Sequence, residues 1–173
     1  MSRGPFSGKT LAVMLGGTAA ERSISLQSGE NVARALEQDG ANVLRVDPAE
    51  KDWPERLKEA SFVFNLLHGP GGEDGTVQGQ FELMKLPYSG CGLMASALTM
   101  DKIRTKWVWQ GVGLATPAFE VLEKNTDWQA VIEALGTVFV KPALEGSSLG
   151  MSKATSASEL EASFLQASRY GTE

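Results

Sequence analysis

One cysteine, Cys91, and one histidine, His68, stand among 173 residues. A lone cysteine cannot close an intrachain disulfide, so the fold must hold without staples, and a reducing, cytoplasmic setting is the expectation. Cys91 itself is expected to be a small buried packing group. Positive charge is also scarce: 16 Lys and Arg face 21 Asp and Glu, for a formal net charge of -5. That balance removes the basic field on which nucleic-acid binding usually rests. No apolar run approaches the ~20 residues of a membrane span. Arg3 and Lys9 precede Leu11 to Leu15 and then Ala19-Ala20, but Gly16-Gly17 cut this run short of the roughly 7 to 15 apolar residues of a signal-peptide core. The phosphate-loop pattern G-x-x-x-x-G-K-S/T and the dinucleotide pattern G-x-G-x-x-G are both missing. Internal repeats and low-complexity stretches are missing too.

What remains is globular: 42% hydrophobic and 21% charged residues supply enough apolar surface for a core. Lys9 to Leu15 reads as a buried strand, Gly16-Gly17-Thr18 as a turn, and the segment through Gly40 as a helix with Val32 and Leu36 at helical spacing. Ala41 to Asp47 and Ser61 to Leu67 read as second and third strands, the last nearly all apolar, as in a parallel sheet covered on both faces. Alternating strands and helices predict a doubly wound α/β lobe. Thr76 to Met84 reads as a helix and Leu86-Pro87-Tyr88 as an edge-like strand, with the lobe ending near residue 98. A second sheet system follows: a helix over Asp101 to Gln110, a strand over Phe119 to Leu122, a helix over Thr126 to Leu135 and a strand over Thr137 to Val140. Met151 to Ala154 returns as its hairpin partner. Ser156 or Ser158 is expected to cap a last helix that ends near Gly171.

Three segments could carry chemistry. Gly16 to Glu21 sits where a strand hands over to a helix, so its N-H groups can face a ligand. Glu21 reads equally as a first-turn glutamate favoured by the helix dipole or as a carboxylate for a substrate ammonium group. The run His68-Gly69-Pro70-Gly71-Gly72-Glu73-Asp74-Gly75 follows the third strand, at the carboxyl edge where open α/β sheets bind ligands. Glu73 and Asp74 there could ligate a metal, but capping of the Thr76 helix is the better reading. Lys141 ends an apolar strand and precedes Glu145-Gly146-Ser147-Ser148-Leu149-Gly150, a loop able to offer N-H groups and hydroxyls to phosphate. Lys102, like Lys141, stands among apolar neighbours rather than in a charge run.

Read together and in order, three blocks resemble the D-alanine:D-alanine ligase family of the ATP-grasp superfamily. They are LGGTAAERSISLQSG at 15 to 29, LHGPGGEDGTVQGQFELMKLPYSGCGLMASALTMDKIRTK at 67 to 106, and VKPALEGSSLGMSK at 140 to 153. The resemblance implies a Rossmann-like parallel-sheet lobe over residues 1–98, followed over 99–173 by the first α+β lobe of an ATP-grasp fold. The family's C-terminal catalytic lobe would be absent. It implies ATP-dependent ligation of two D-alanines through an acyl phosphate, for peptidoglycan precursors. Glu21 would hold the ammonium group of the first D-alanine, His68 would line the same subsite near its carboxylate, and Ser147 would hydrogen-bond towards Glu21. These groups would meet in one cleft between the lobes. Lys102, Lys141, Glu145, Gly146, Ser147, Ser148 and Gly150 would hold ATP phosphates. Ligands for Mg²⁺ (or Mn²⁺) are expected beyond residue 173, with none in this stretch, so the chain alone should not turn over. D-alanine and ATP are the implied partners, with neither nucleic acid nor membrane, and a homodimer through the first lobe is implied. Two other readings compete: a dinucleotide-binding lobe using Asp47 on a ribose hydroxyl, and a non-enzymatic binding or oligomerisation module.

Overall fold

The computed structural model describes residues 4–170. The chain divides into two compact units, with the boundary between Ala97 and Leu98.

The first unit is built on a three-stranded parallel sheet. Strand β1 (Thr10–Met14) lies between β2 (Asn42–Val46) and β3 (Val63–Asn65). Thr10 registers with Asn42 and Ala12 with Val63. As the central strand, β1 has helices or loops over both faces, so Leu11, Ala12, Val13 and Met14 are all essentially inaccessible. Alternate residues feed two cores. Ala12 and Met14 join Val46, Val63, Val77 and Phe81 on one face, while Leu11 and Val13 join Ala33 and Leu36 on the other. Each fully buried Leu, Val or Met side chain contributes roughly 1.5–3 kcal/mol relative to exposure.

Helix α1 (Arg22–Gln38) connects β1 to β2 and buries Ser25, Gly29, Ala33 and Leu36, a stripe at helical spacing. Gly29 lets it approach β1 closely, since a Cβ there would sit 2.4 Å from the Cβ of Leu15. The short helix α2 (Trp53–Arg56), continued by a 3₁₀ turn at Leu57–Glu59, leads into β3. Helix α3 (Thr76–Leu83) follows the glycine-rich loop, and α4 (Leu93–Met100) runs across the unit boundary. Neither α2 nor α4 is expected from the sequence. The edge strand expected at 86–88 is reduced to a single parallel bridge between Val63 and Tyr88. Cys91 is exposed, not buried, because it stands in the Gly90–Gly92 turn just before α4.

The second unit opens with α5 (Lys102–Gly111), whose cap residue Asp101 accepts from the Arg104 N-H at 2.9 Å. Helix α6 (Trp128–Leu135), capped by Asp127, precedes the antiparallel hairpin of β4 (Val138–Val140) and β5 (Ser152–Ala154). Helix α7 (Ala157–Ala167) is capped by Ser156, which accepts from the Glu159 N-H at 3.3 Å. The helix proper stops at Ala167 and passes into a 3₁₀ turn over Ser168–Tyr170, while the expected terminus at Gly171 lies outside the described residues. Val140, Ala154, Leu160 and Ala167 form this unit's core. The strand expected over Phe119 to Leu122 does not form, since no ladder pairs with it among the described residues. Lys106 instead holds the preceding segment, donating to Thr116 Oγ1 at 2.7 Å and to the Pro117 carbonyl at 2.8 Å.

Candidate functional site

Two candidate sites emerge, one in each unit. In the first, the turn after β1 and the loop after β3 meet at the carboxyl edge of the parallel sheet. Together, residues Gly16 to Ala19, Pro48, and Leu67, His68 and Pro70 to Gly72 line a small cleft. It lies where chain connections leave the sheet in opposite directions from adjacent strands β1 and β3, the usual binding position in such folds. Gly16 (φ 82°), Gly17 (φ 74°), Gly69 (φ 67°) and Gly71 (φ 86°) all adopt left-handed backbone. That conformation is nearly free for glycine and costly for other residues.

Glu21 is the residue immediately before α1, and its side chain caps nothing. Its Oε2 is buried without a hydrogen-bond partner, and a Cβ on Gly69 would stand 2.6 Å from that oxygen. The helix-dipole reading of Glu21 leaves this oxygen unexplained. A buried acceptor without a donor is costly unless a ligand supplies one. Nε2 of His68 lies 3.4 Å from Ser28 Oγ on α1. The glycine loop is held from within: the Gly69 N-H donates to Glu73 Oε2 at 2.7 Å, and the Gly71 N-H donates to Asp74 Oδ2 at 2.8 Å. Asp74 Oδ1 also accepts from the Thr76 N-H at 3.0 Å, although the cap residue of α3 is Gly75. Burial alone would raise the Asp74 carboxyl, but these N-H donors outweigh it and hold it below its ordinary range. Asn65 Nδ2 and Gln78 Nε2 both donate to the Gly72 carbonyl, at 2.9 and 2.8 Å.

Asp47, at the end of β2, is not open to a ribose. It accepts from Arg22 at 2.6 Å and from the N-H groups of Gly17 and Ala49 at 2.9 Å each. With its carboxylate so engaged, the dinucleotide reading loses its one anchor. Sequence reasoning weighed Asp47 only within the competing dinucleotide reading, and it passed over Arg22 and Ser25. Ser25 accepts from the Gly16 N-H at 2.9 Å and donates to the Leu66 carbonyl at 2.7 Å, tying the two loops together.

The second unit's site is the loop of the β4–β5 hairpin together with the start of α5. Lys102, Lys141, Pro142, Glu145 to Leu149 and Met151 line it. Lys102 donates through Nζ to the carbonyl oxygen of Glu145, and its own N-H donates to the Ala143 carbonyl at 3.1 Å. Burial, and then the neighbouring Lys141 ammonium, push the Lys102 ammonium below the usual lysine range. Neither lysine forms an ion pair among the described residues. Ser147 (φ 49°) and Ser148 (φ 61°) are left-handed, a conformation that costs a non-glycine residue of order 1–3 kcal/mol. The N-H groups of Gly146, Ser147 and Ser148 donate to no protein acceptor among the described residues. Two ammonium groups without an ion-pair partner among the described residues, beside a turn with free N-H groups, are the chemistry that suits an anion. Of the residues singled out in the sequence, Glu21 and His68 thus fall in the first unit, and Lys102, Lys141, Glu145, Gly146, Ser147, Ser148 and Gly150 in the second.

Among the described residues no group of three or more His, Cys, Asp or Glu could hold a metal ion, and no helix is long and apolar enough to cross a membrane.

Residues 45–91 match the family model for the D-ala D-ala ligase N-terminus, and residues 108–173 match that for the D-ala D-ala ligase C-terminus. A D-alanine–D-alanine ligase of Aromatoleum aromaticum is 53% identical over 163 residues, covering 92% of this chain and 52% of the relative. A D-alanine–D-alanine ligase B of Chromobacterium violaceum is 50% identical, covering 92% and 54%. The crystal structure of D-alanine–D-alanine ligase from Bacillus anthracis superposes with a TM-score of 0.85 at 28% identity, covering 95% of this chain and 55% of that one. The same enzyme complexed with ATP superposes with a TM-score of 0.81 at 28% identity, covering 94% and 56%. The chain spans about half the length of the relatives it matches.

Proposed function

We infer the function of this chain from its place in the D-alanine–D-alanine ligase family, to which it belongs. The chain supplies two of the binding sites of an ATP-dependent enzyme that joins two D-alanines for peptidoglycan precursors. In that reaction a carboxylate oxygen of the first D-alanine attacks the terminal phosphorus of ATP, giving an acyl phosphate and ADP. The amine of the second D-alanine then attacks the acyl carbon and phosphate leaves. Phosphoryl transfer is governed by positioning and by neutralising the charge on the phosphate oxygens.

Lys102 and Lys141, with the N-H groups of Gly146, Ser147 and Ser148, receive those oxygens. Glu145 and Gly150 bound the same turn. Glu21 receives the ammonium group of the first D-alanine on its unpartnered Oε2, and His68 stands beside the carboxylate. Ser147 is assigned to seating the substrate. The described residues offer no carboxylate set for Mg²⁺.

The observation that carries the reading is the pair of lysines without ion-pair partners among the described residues, set against a turn in which the N-H groups of Gly146, Ser147 and Ser148 meet no described acceptor. The test is calorimetric titration of the chain with ATP. A charge-assisted contact contributes about 1.5–3 kcal/mol, so Lys102→Met and Lys141→Met should each weaken ATP binding roughly tenfold or more. An unchanged dissociation constant in both variants would refute the assignment.

A further inference from the structure

We propose that Arg22 and Asp47 are positioning residues that hold the strand-to-helix turn, and through it Glu21, in the geometry the cleft requires. The part that concerns the ligand rests on the cleft being an amino-acid site.

Arg22 is the first residue of α1, where a cation meets the unfavourable positive end of the helix dipole. Its placement is explained by what it grips. Its guanidinium donates to Asp47 Oδ1 at 3.1 Å and Oδ2 at 2.6 Å, and to the Gly17 carbonyl at 2.6 Å. Asp47 Oδ1 in turn accepts from the Gly17 N-H at 2.9 Å. One ion pair therefore holds Gly17 by both its N-H and its carbonyl, and it closes the segment from Gly17 to Arg22 into a ring. Side chains are excluded from its path: a Cβ on Gly16 would stand 2.5 Å from Asp47 Oδ2 and 2.8 Å from Arg22 Nη1. Glu21 lies inside that ring. Its Oε2 bonds to no described residue, so no hydrogen bond at that oxygen holds the carboxylate, and the clamp acts on the backbone that carries it. Gly16 and Gly17 also wall the cleft that His68 lines, so one contact bears on both the Glu21 backbone and the cleft surface.

The experiment has two arms, both on the 173-residue chain. Amide hydrogen exchange is followed at Gly17 and at Leu15, whose N-H donates to the Val46 carbonyl and does not touch the clamp. D-alanine is titrated while the imidazole signal of His68, the only histidine, is observed. In Arg22→Met and Asp47→Asn, exchange at Gly17 should accelerate at least about tenfold while Leu15 is unchanged, and D-alanine affinity should fall by about tenfold. Arg22→Lys, which keeps the charge but not the fork, should fall between. Should Arg22→Met fail to fold, the other two variants decide. Unchanged Gly17 exchange overturns the clamp. Accelerated exchange with unchanged D-alanine affinity overturns its link to the cleft. A wild-type His68 signal that ignores D-alanine overturns the amino-acid reading of the cleft, and the exchange arm then still decides the clamp.

Discussion

Replacing Gly29 by alanine sets two effects of opposite sign against each other. Glycine in a helix interior is less favourable than alanine by about 1 kcal/mol, so on propensity alone the variant should be more stable. At this position the added methyl would stand 2.4 Å from Leu15 Cβ and 3.1 Å from Leu15 Cδ2. The nearer atom is fixed to the main chain just beyond β1, so a rotamer change cannot clear it. Helix α1 would have to move away, straining the Ser25 bonds to Gly16 and Leu66 one turn earlier. Overpacking of this kind costs about 1–3 kcal/mol. A 2.4 Å approach to an atom fixed to the main chain falls in the upper part of that range, about 2–3 kcal/mol, so we expect a net loss of about 1–2 kcal/mol and a drop in melting temperature of roughly 5–15 °C for a unit of this size. Urea denaturation followed at the His68 imidazole reports on the first unit alone. Gly111→Ala at the end of α5, where an added Cβ meets nothing within 4 Å, is the control and should be neutral or slightly stabilising. Gly29→Ala as stable as the wild type would refute the close-approach argument.

Asp101→Ala removes the cap of α5 and an acceptor that is 5% exposed, and should cost about 0.5–2 kcal/mol, read as a lower urea midpoint by tryptophan fluorescence. An unmoved midpoint would contradict the capping role. Acid should also destabilise the first unit: hydrogen bonds from Arg45 and then Arg34 lower Glu30 from 4.5 to about 2, and Arg45 lowers Glu37 as well. A carboxyl depressed on folding contributes stability above its unfolded value, and that contribution is lost as pH falls from 4.5 towards 2. Arg45→Met should flatten this slope in urea midpoints measured against pH, and an equally steep slope would contradict it.

The sequence makes the β1–α1–β2–β3 order legible because apolar periodicity and glycine punctuation agree there. The hairpin around Lys141 is legible for the same reason. Helix α4, with the sequence LMASALTM, escapes notice because it is apolar on nearly every side and so shows no clear helical stripe. Helix α2 is too short for any period to register. Phe119 to Leu122 has strand composition but finds no partner strand, and pairing is not written in composition. At the candidate sites, glycine-rich segments point to Glu21 and His68, and lysines set among apolar neighbours point to Lys102 and Lys141. The Arg22–Asp47 clamp is invisible at that level because it joins two elements 25 residues apart.

The most direct test is an amide-resolved titration of the 173-residue chain, first with ATP and then with D-alanine. ATP should shift the Gly146, Ser147 and Ser148 amides saturably, and D-alanine should shift those of Gly17, Glu21 and Gly69 together with the His68 imidazole. Saturable shifts confined to other residues, or no response to either ligand, would contradict the assignment of both sites.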